Sequence, residues 1–274
     1  MPTARPDFPI GRAFAWLLCF AATCAAFPAR SQPLEREAWA SLGQRRLVER
    51  AGGGVLLTEQ GPMARAGLRL VRNWASGAAV AIEGSFGVAQ LDYDGQTSLT
   101  AIPLSTITRQ HETEVDLLFS PDRHWRGGEL WLSLGLLDNR RIIRATALTR
   151  ELYERSDAVM AGIRWRSPGF GTVAGWTLRA EADARLSLHH RLHVNFYGLL
   201  SPSRLSLDGG DKQLLRLRLR GSAEHSPWEW AVEWSRLSQG VSSSARATGF
   251  GMALTVSQPE LTIRDVSLRL TRRF

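Results

Sequence analysis

The chain has 274 residues, and its 34 basic side chains outnumber 26 acidic ones, for a formal charge of +8. Every basic residue except Lys212 is an arginine, and the arginines follow alternating segments rather than one basic run, which argues against a nucleic-acid binder. The only cysteines, Cys19 and Cys24, lie near the N-terminus, so the remaining chain has neither a disulfide framework nor a thiolate metal site.

Residues 1–31 read as a secretory signal. Arg5 and Arg12 supply a positive start, and Ala13 to Phe27 an apolar core too short to span a bilayer comfortably. Ala29-Arg30-Ser31 offers small residues for cleavage before Gln32; cleavage after Ala25 is the alternative. Lipidation at Cys24 is set aside, because Ala21-Ala22-Thr23 lacks the usual preceding leucine and small residue. Both cysteines leave with this segment, which suits passage through an oxidising compartment.

Residues 32–60 are expected to be a periplasmic lead-in, either flexible or a short helix. Leu34, Ala38 and Leu42 recur at helical spacing, and Gly52-Gly53-Gly54 closes the segment.

Residues 61–274 have a two-residue rhythm broken by turn signals. Strands are predicted near 63–73, 78–90, 98–107, 111–120, 129–138, 157–166, 173–186, 191–200, 213–223, 228–237, 246–257 and 261–274. That makes about 12 strands; residues 98–120 also read as one long strand and 139–148 as an extension of its neighbour, so 10 is the alternative, since single-chain bacterial barrels favour even numbers. The alternation is sharp in places. Leu215, Leu217 and Leu219 oppose Arg216, Arg218 and Arg220, and Trp228, Trp230, Val232 and Trp234 oppose Glu229 and Glu233. Trp74, Trp125, Trp165, Trp176 and Trp228 fall near predicted strand ends, where membrane-interface girdles sit. The expected fold is an all-β, antiparallel transmembrane β-barrel in the outer membrane.

The last strand carries a more specific signal. Phe274 is a terminal aromatic, preceded at alternate positions by Leu270, Leu268 and Val266; Arg272 departs from the apolar pattern and is expected to snorkel to the interface. This strand resembles the C-terminal signature of Gram-negative outer-membrane barrel proteins. The resemblance implies Phe274 as an assembly signal and the outer-membrane barrel assembly machinery as a partner. It implies outer-membrane lipids and lipopolysaccharide as surroundings, and it leaves room for a periplasmic or export-system partner.

The inward set is heavily charged. Arg65 and Arg69 share a face, as do Glu112, Glu114 and Asp116, while Glu83 lies on a neighbouring segment. Arg179, Glu181, Asp183 and Arg185 form another charged face. A turn at Glu224-His225 would set Arg220 across from Glu229 and Arg216 across from Glu233, with Arg218 facing Ala231. A turn at His189 would set Arg185 across from His193. Ala247, Gly249, Gly251 and Ala253 suggest an open stretch of lumen. These charges are expected to act either as a selectivity lining or as a structural network.

No cofactor motif and no metal-ligand spacing stands out among His111, His124, His189, His190, His193 and His225. Ser187 beside His189 and His190, with Glu181 or Asp183, is the candidate catalytic group, without a supporting local motif. The sequence favours a pore or accessory channel for small solutes or envelope export. A non-transporting structural or adhesion barrel stands next, and a lipid-modifying enzyme third.

Overall fold

The computed structural model describes residues 34–96, 102–123, 126–147, 149–249 and 251–274. The expected signal peptide, Trp125 and His124 lie outside the described residues. Fourteen strands are formed, in chain order β1 (Glu35–Ala51), β2 (Gly54–Asn73), β3 (Ala79–Gln96), β4 (Pro103–Ser120), β5 (Glu129–Ile143), β6 (Leu152–Arg166), β7 (Gly171–Val173), β8 (Trp176–Asn195), β9 (Arg204–Asp208), β10 (Lys212–Ser222), β11 (Trp228–Gln239), β12 (Ala245–Gly249), β13 (Met252–Val256) and β14 (Glu260–Arg273).

Ten of these close into an antiparallel barrel: β1 to β6, then β8, β10, β11 and β14, which returns to β1. The short strands β7 and β9 add to β8, and β12 and β13 form a separate hairpin. Closure satisfies every strand edge, which a bilayer requires. The seam is finished by the Phe274 amide donating to the Arg36 carbonyl at 3.0 Å.

The first strand corrects the expected lead-in. Glu35–Ala51 is not a helix but a full barrel strand, paired with β14 from Glu37↔Arg273 to Arg50↔Glu260. A spacing of four belongs to both a helix face and a strand face, so Leu34, Ala38 and Leu42 fitted either. Gly52 and Gly53 have positive φ of 58° and 82°, the conformation a two-residue hairpin turn needs, and they join β1 to β2.

With β1 added, three other departures from the twelve segments leave ten barrel strands, the alternative count. Residues 103–107 and 111–120 belong to the single strand β4; residues 98–101 of the first segment lie outside the described residues. The segments 173–186 and 191–200 merge into β8, so His189 is in a strand and not at a turn. The segment 246–257 is the β12–β13 hairpin outside the barrel, so Ala247, Gly249, Gly251 and Ala253 do not open the lumen.

The outer wall is apolar over a limited height. Along β14 the outward side chains run Arg272, Leu270, Leu268, Val266, Arg264, with all three apolar ones exposed. From Arg272 to Arg264 is about 26 Å of strand at about 3.3 Å per residue. At a tilt of about 40° that projects to about 20 Å, close to the apolar band of an outer-membrane barrel. Arg272 marks its lower edge as expected, with its guanidinium 5.5 Å from the Trp228 ring centre and 4.9 Å from that of Phe274. Leu34, the first described residue, and Phe274 lie at this edge, beside the short turns at 74–78 and 223–227, while the longer connections 196–203 and 240–259 lie opposite, with the Gly52–Gly53 turn. Short turns mark the periplasmic side and long loops the outside.

Candidate functional site

The interior is the chemically dense part of the molecule, and the strand register explains why. Residues directly opposite on neighbouring strands share a face, so one inward row passes from strand to strand. One such row reads Arg164, Asp183, Arg216, Ser235, Asp265, Arg45 across β6, β8, β10, β11, β14 and β1. The next reads Arg166, Glu181, Arg218, Glu233 across β6, β8, β10 and β11. Asp183 and Glu181 each face a guanidinium on either side, while Asp265 lies between Ser235 and Arg45, and Glu233 between Arg218 and Ser267.

The pairs are close and water-excluded. Arg218 Nε donates to Glu233, and Arg218 also reaches Glu181. Arg220 lies 2.6 Å from Glu229 and 2.8 Å from Glu181. Arg216 Nη2 is 3.0 Å from Glu114, and its Nε is 3.4 Å from Glu233. Other bonds cross the lumen. Arg185 reaches Asp116 at 2.9 Å from β8 to β4, Arg164 reaches Glu83 at 2.6 Å from β6 to β3, and Arg45 holds Asp265 at 2.8 Å and Glu112 at 3.1 Å. Arg65 joins the same knot through Glu112. Arg69 sits 3.8 Å from Glu37 and stacks over Trp131 with its centre 5.0 Å away.

Of the expected lumen charges, Arg65, Arg69, Glu83, Glu112, Glu114, Asp116, Glu181, Asp183, Arg185, Arg216, Arg218, Arg220, Glu229 and Glu233 all join this interior network. Arg179 stands apart near the periplasmic end, donating to Ser222 at 3.1 Å. The register of the β10–β11 hairpin is two residues off the expectation: Arg218 faces Glu233, Arg216 faces Ser235 and Arg220 faces Ala231. An even shift keeps every side chain on its face, so Arg220–Glu229 and Arg216–Glu233 still form as diagonal contacts. Arg185 faces Gly162 and Leu214 instead of His193.

Sequence reasoning missed Arg45, Arg141, Arg164 and Arg166. Arg45 was assigned to the lead-in. For Arg164 and Arg166 the alternation with Ile163 and Trp165 was the available signal.

Above the ionic rows the interior turns apolar. Leu47, Leu57, Tyr93, Leu137, Met160 and Leu237 are among the buried residues of one hydrophobic cluster drawn from strands around the barrel. Set within it, Arg141 lies 2.6 Å from both Glu49 and Glu59, and Glu59 stands directly opposite Leu47 and Tyr93. The gap among Arg45, Glu112, Asp116 and Arg185 holds about 20 Å³, and that among Ser41, Glu83, Arg218 and Glu233 about 10 Å³. Such gaps hold about one water each and no hydrated ion.

The histidine region is rearranged by a bulge. The pairing of β6 with β8 shifts between Val159↔His189 and Met160↔Ser187, leaving Leu188 as the extra residue. This turns His190 inward and leaves His189 exposed. His190 Nε2 lies 3.0 Å from Ser156 Oγ, its Nδ1 lies 2.8 Å from the Gly210 carbonyl, and Lys212 donates to the same hydroxyl. Ser187 instead accepts from the Lys212 amide at 2.8 Å, so it does not pair with either histidine. Among the described residues no group of three or more His, Cys, Asp or Glu could hold a metal ion.

No family model matches the chain, and no curated protein matches it in sequence. Solved structures do resemble it in fold. The outer membrane protease OmpT from Escherichia coli aligns with a TM-score of 0.51 at 9% identity, covering 90% of this chain and 99% of that one. The translocator domain of the autotransporter NalP from Neisseria meningitidis aligns at 0.47 and 11%, covering 97% of each chain. The likeness to OmpT agrees with the closed barrel and its apolar belt: the chain has the fold of an outer-membrane β-barrel.

Proposed function

We propose that the protein is a non-conducting outer-membrane barrel, a rigid platform whose work is done at its extracellular end and on its outer wall. The observation that carries this reading is the filled interior: ion pairs that cross the lumen, beneath a buried apolar cluster that itself encloses the Arg141 ion pairs. A selectivity lining needs a wet path between charged rings. Here the charges neutralise one another, and the apolar cluster gives an ion nothing to replace its hydration shell. The account takes the structural-network reading of the interior charges. In liposome swelling, reconstituted protein is expected to admit arabinose no faster than protein-free vesicles. Swelling at the rate of a general porin would overturn the proposal.

A second reading rests on Ser156 and His190. A serine hydroxyl against an imidazole whose other nitrogen is held by a carbonyl is the arrangement of an activated nucleophile. Against it, His190 and Lys212 are buried, at 5% and 2% exposure, so a substrate acyl group has no evident approach. A fluorophosphonate probe decides: labelling that disappears in Ser156→Ala establishes the nucleophile, and absence of labelling leaves the cluster as a polar tie between β6, β8 and β10.

A further inference from the structure

The upper edge of the apolar belt carries three arginines in one cross-strand row. Arg46 on β1 faces Arg264 on β14, and Arg264 faces Arg236 on β11. All three are outward and exposed. With neighbouring strands about 4.8 Å apart, three like charges stand within about 10 Å. Like charges directly opposite each other across strands destabilise a sheet. The usual relief is missing. Among the described residues no carboxylate pairs with any of the three, and the Arg236 guanidinium donates only to the Ser238 hydroxyl at 3.1 Å. The outward carboxylate in the same row, Asp92, stands beyond Gln60 on the far side of Arg46.

On another part of the rim two outward arginines share a carboxylate, whereas outward Arg109 on β4 has none among the described residues. Arg140 lies 3.0 Å from Asp138, and Arg155 donates to the same carboxylate at 2.8 Å. What sets the row apart is that its three arginines stand directly opposite one another on neighbouring strands.

A second observation lies directly below it. The lipid-facing wall has a shallow apolar depression lined by Ala40, Leu42, Ala64, Ala66, Phe86 and Trp230. Small side chains on β1 and β2 form its floor, while Phe86 on β3 and Trp230 on β11 stand at its flanks. Leu42 is four residues below Arg46 on the same strand, about 13 Å at about 3.3 Å per residue. A cationic row at the headgroup level with an apolar trough beneath it matches a molecule with phosphate above and hydrocarbon below.

We infer that Arg46, Arg236 and Arg264 bind the phosphate groups of a phosphorylated glycolipid of the outer leaflet, with an acyl chain lying in the Ala40–Phe86–Trp230 trough. Guanidinium forks grip phosphate oxygens bidentately, and a shared anion converts the repulsion of the row into attraction.

The test compares wild-type protein with R46Q/R236Q/R264Q, both refolded in a non-ionic detergent and checked for heat-modifiable gel migration. Native mass spectrometry would follow binding of purified lipopolysaccharide and of the same lipid after phosphatase treatment. Wild type is expected to bind the phosphorylated lipid at least tenfold more tightly than the dephosphorylated one, and the triple variant to lose that difference. R140Q, on an ion-paired part of the rim, is expected to keep it. A64W, which fills the trough, is expected to weaken binding without abolishing the phosphate preference. Equal binding of both lipids by wild type would overturn the inference, as would a triple variant that keeps the preference. Full displacement of the lipid by millimolar inorganic phosphate would also overturn it, because that would mark a site for the free anion.

Discussion

Glu233 holds two guanidiniums at once, from Arg218 and from Arg216 at 3.4 Å, in a place with 7% exposure. Removing one member of a buried ion pair leaves the other charged and dry, which costs about 3 kcal/mol or more. Glu233→Ala is therefore expected to lower unfolding stability by about that amount, measured by urea titration of the folded gel band. Glu233→Ala/Arg218→Ala is expected to recover part of it, since Arg216 retains Glu114 at 3.0 Å. In a wet lumen the single variant would lose below about 1 kcal/mol, as at an exposed pair. Gly135 makes a second case at this scale. A methyl group there would run into the Asp116 carboxylate and come within 3.2 Å of Arg185 Nη1. Gly135→Ala is expected to destabilise by about 1–3 kcal/mol through overpacking against a pair that cannot retreat. An unchanged urea midpoint would show that the Asp116–Arg185 contact is not formed.

At the scale of elements, the seam between β1 and β14 decides whether the barrel closes. Leu42 and Leu268 are directly opposite there, both on the lipid face. The only natural cysteines are Cys19 and Cys24, so a paired L42C/L268C variant cleaved before Gln32 carries no competing thiol. Oxidation is expected to crosslink it within one chain, seen as a shift in denatured gel migration that reductant reverses. A free lead-in over residues 32–60 would give no such crosslink. Most strands were legible because their inward and outward sets differ so strongly, as in Leu215 to Arg220. β1 was not, because a four-residue spacing does not distinguish helix from strand. β8 was divided because its bulge at Leu188 inverts the alternation partway, and an inverted alternation reads as a turn. The β10–β11 register was missed by two residues, since nothing local fixes where the 223–227 turn is centred; the faces survived because the error is even.

At the scale of the whole molecule, the barrel has a soluble protein's economy turned inside out. Its outer belt is apolar, and its interior holds charged rows beneath an apolar cluster that encloses a further set of ion pairs. The charged interior was visible in the sequence as a list of residues. Its closure was not, because whether opposed charges line water or bond across a lumen depends on strand number and on which strands meet. Ten strands bring Arg164 to Glu83 and Arg185 to Asp116 across the interior. This network and the apolar cluster seal the barrel under the proposed function. The most direct measurement is single-molecule conductance in a planar bilayer at 1 M KCl, with insertion verified by heat-modifiable migration of the same preparation. The account predicts no stable current steps from inserted wild-type protein. Regular, long-lived steps of uniform size, altered in selectivity by Glu233→Ala, would contradict it.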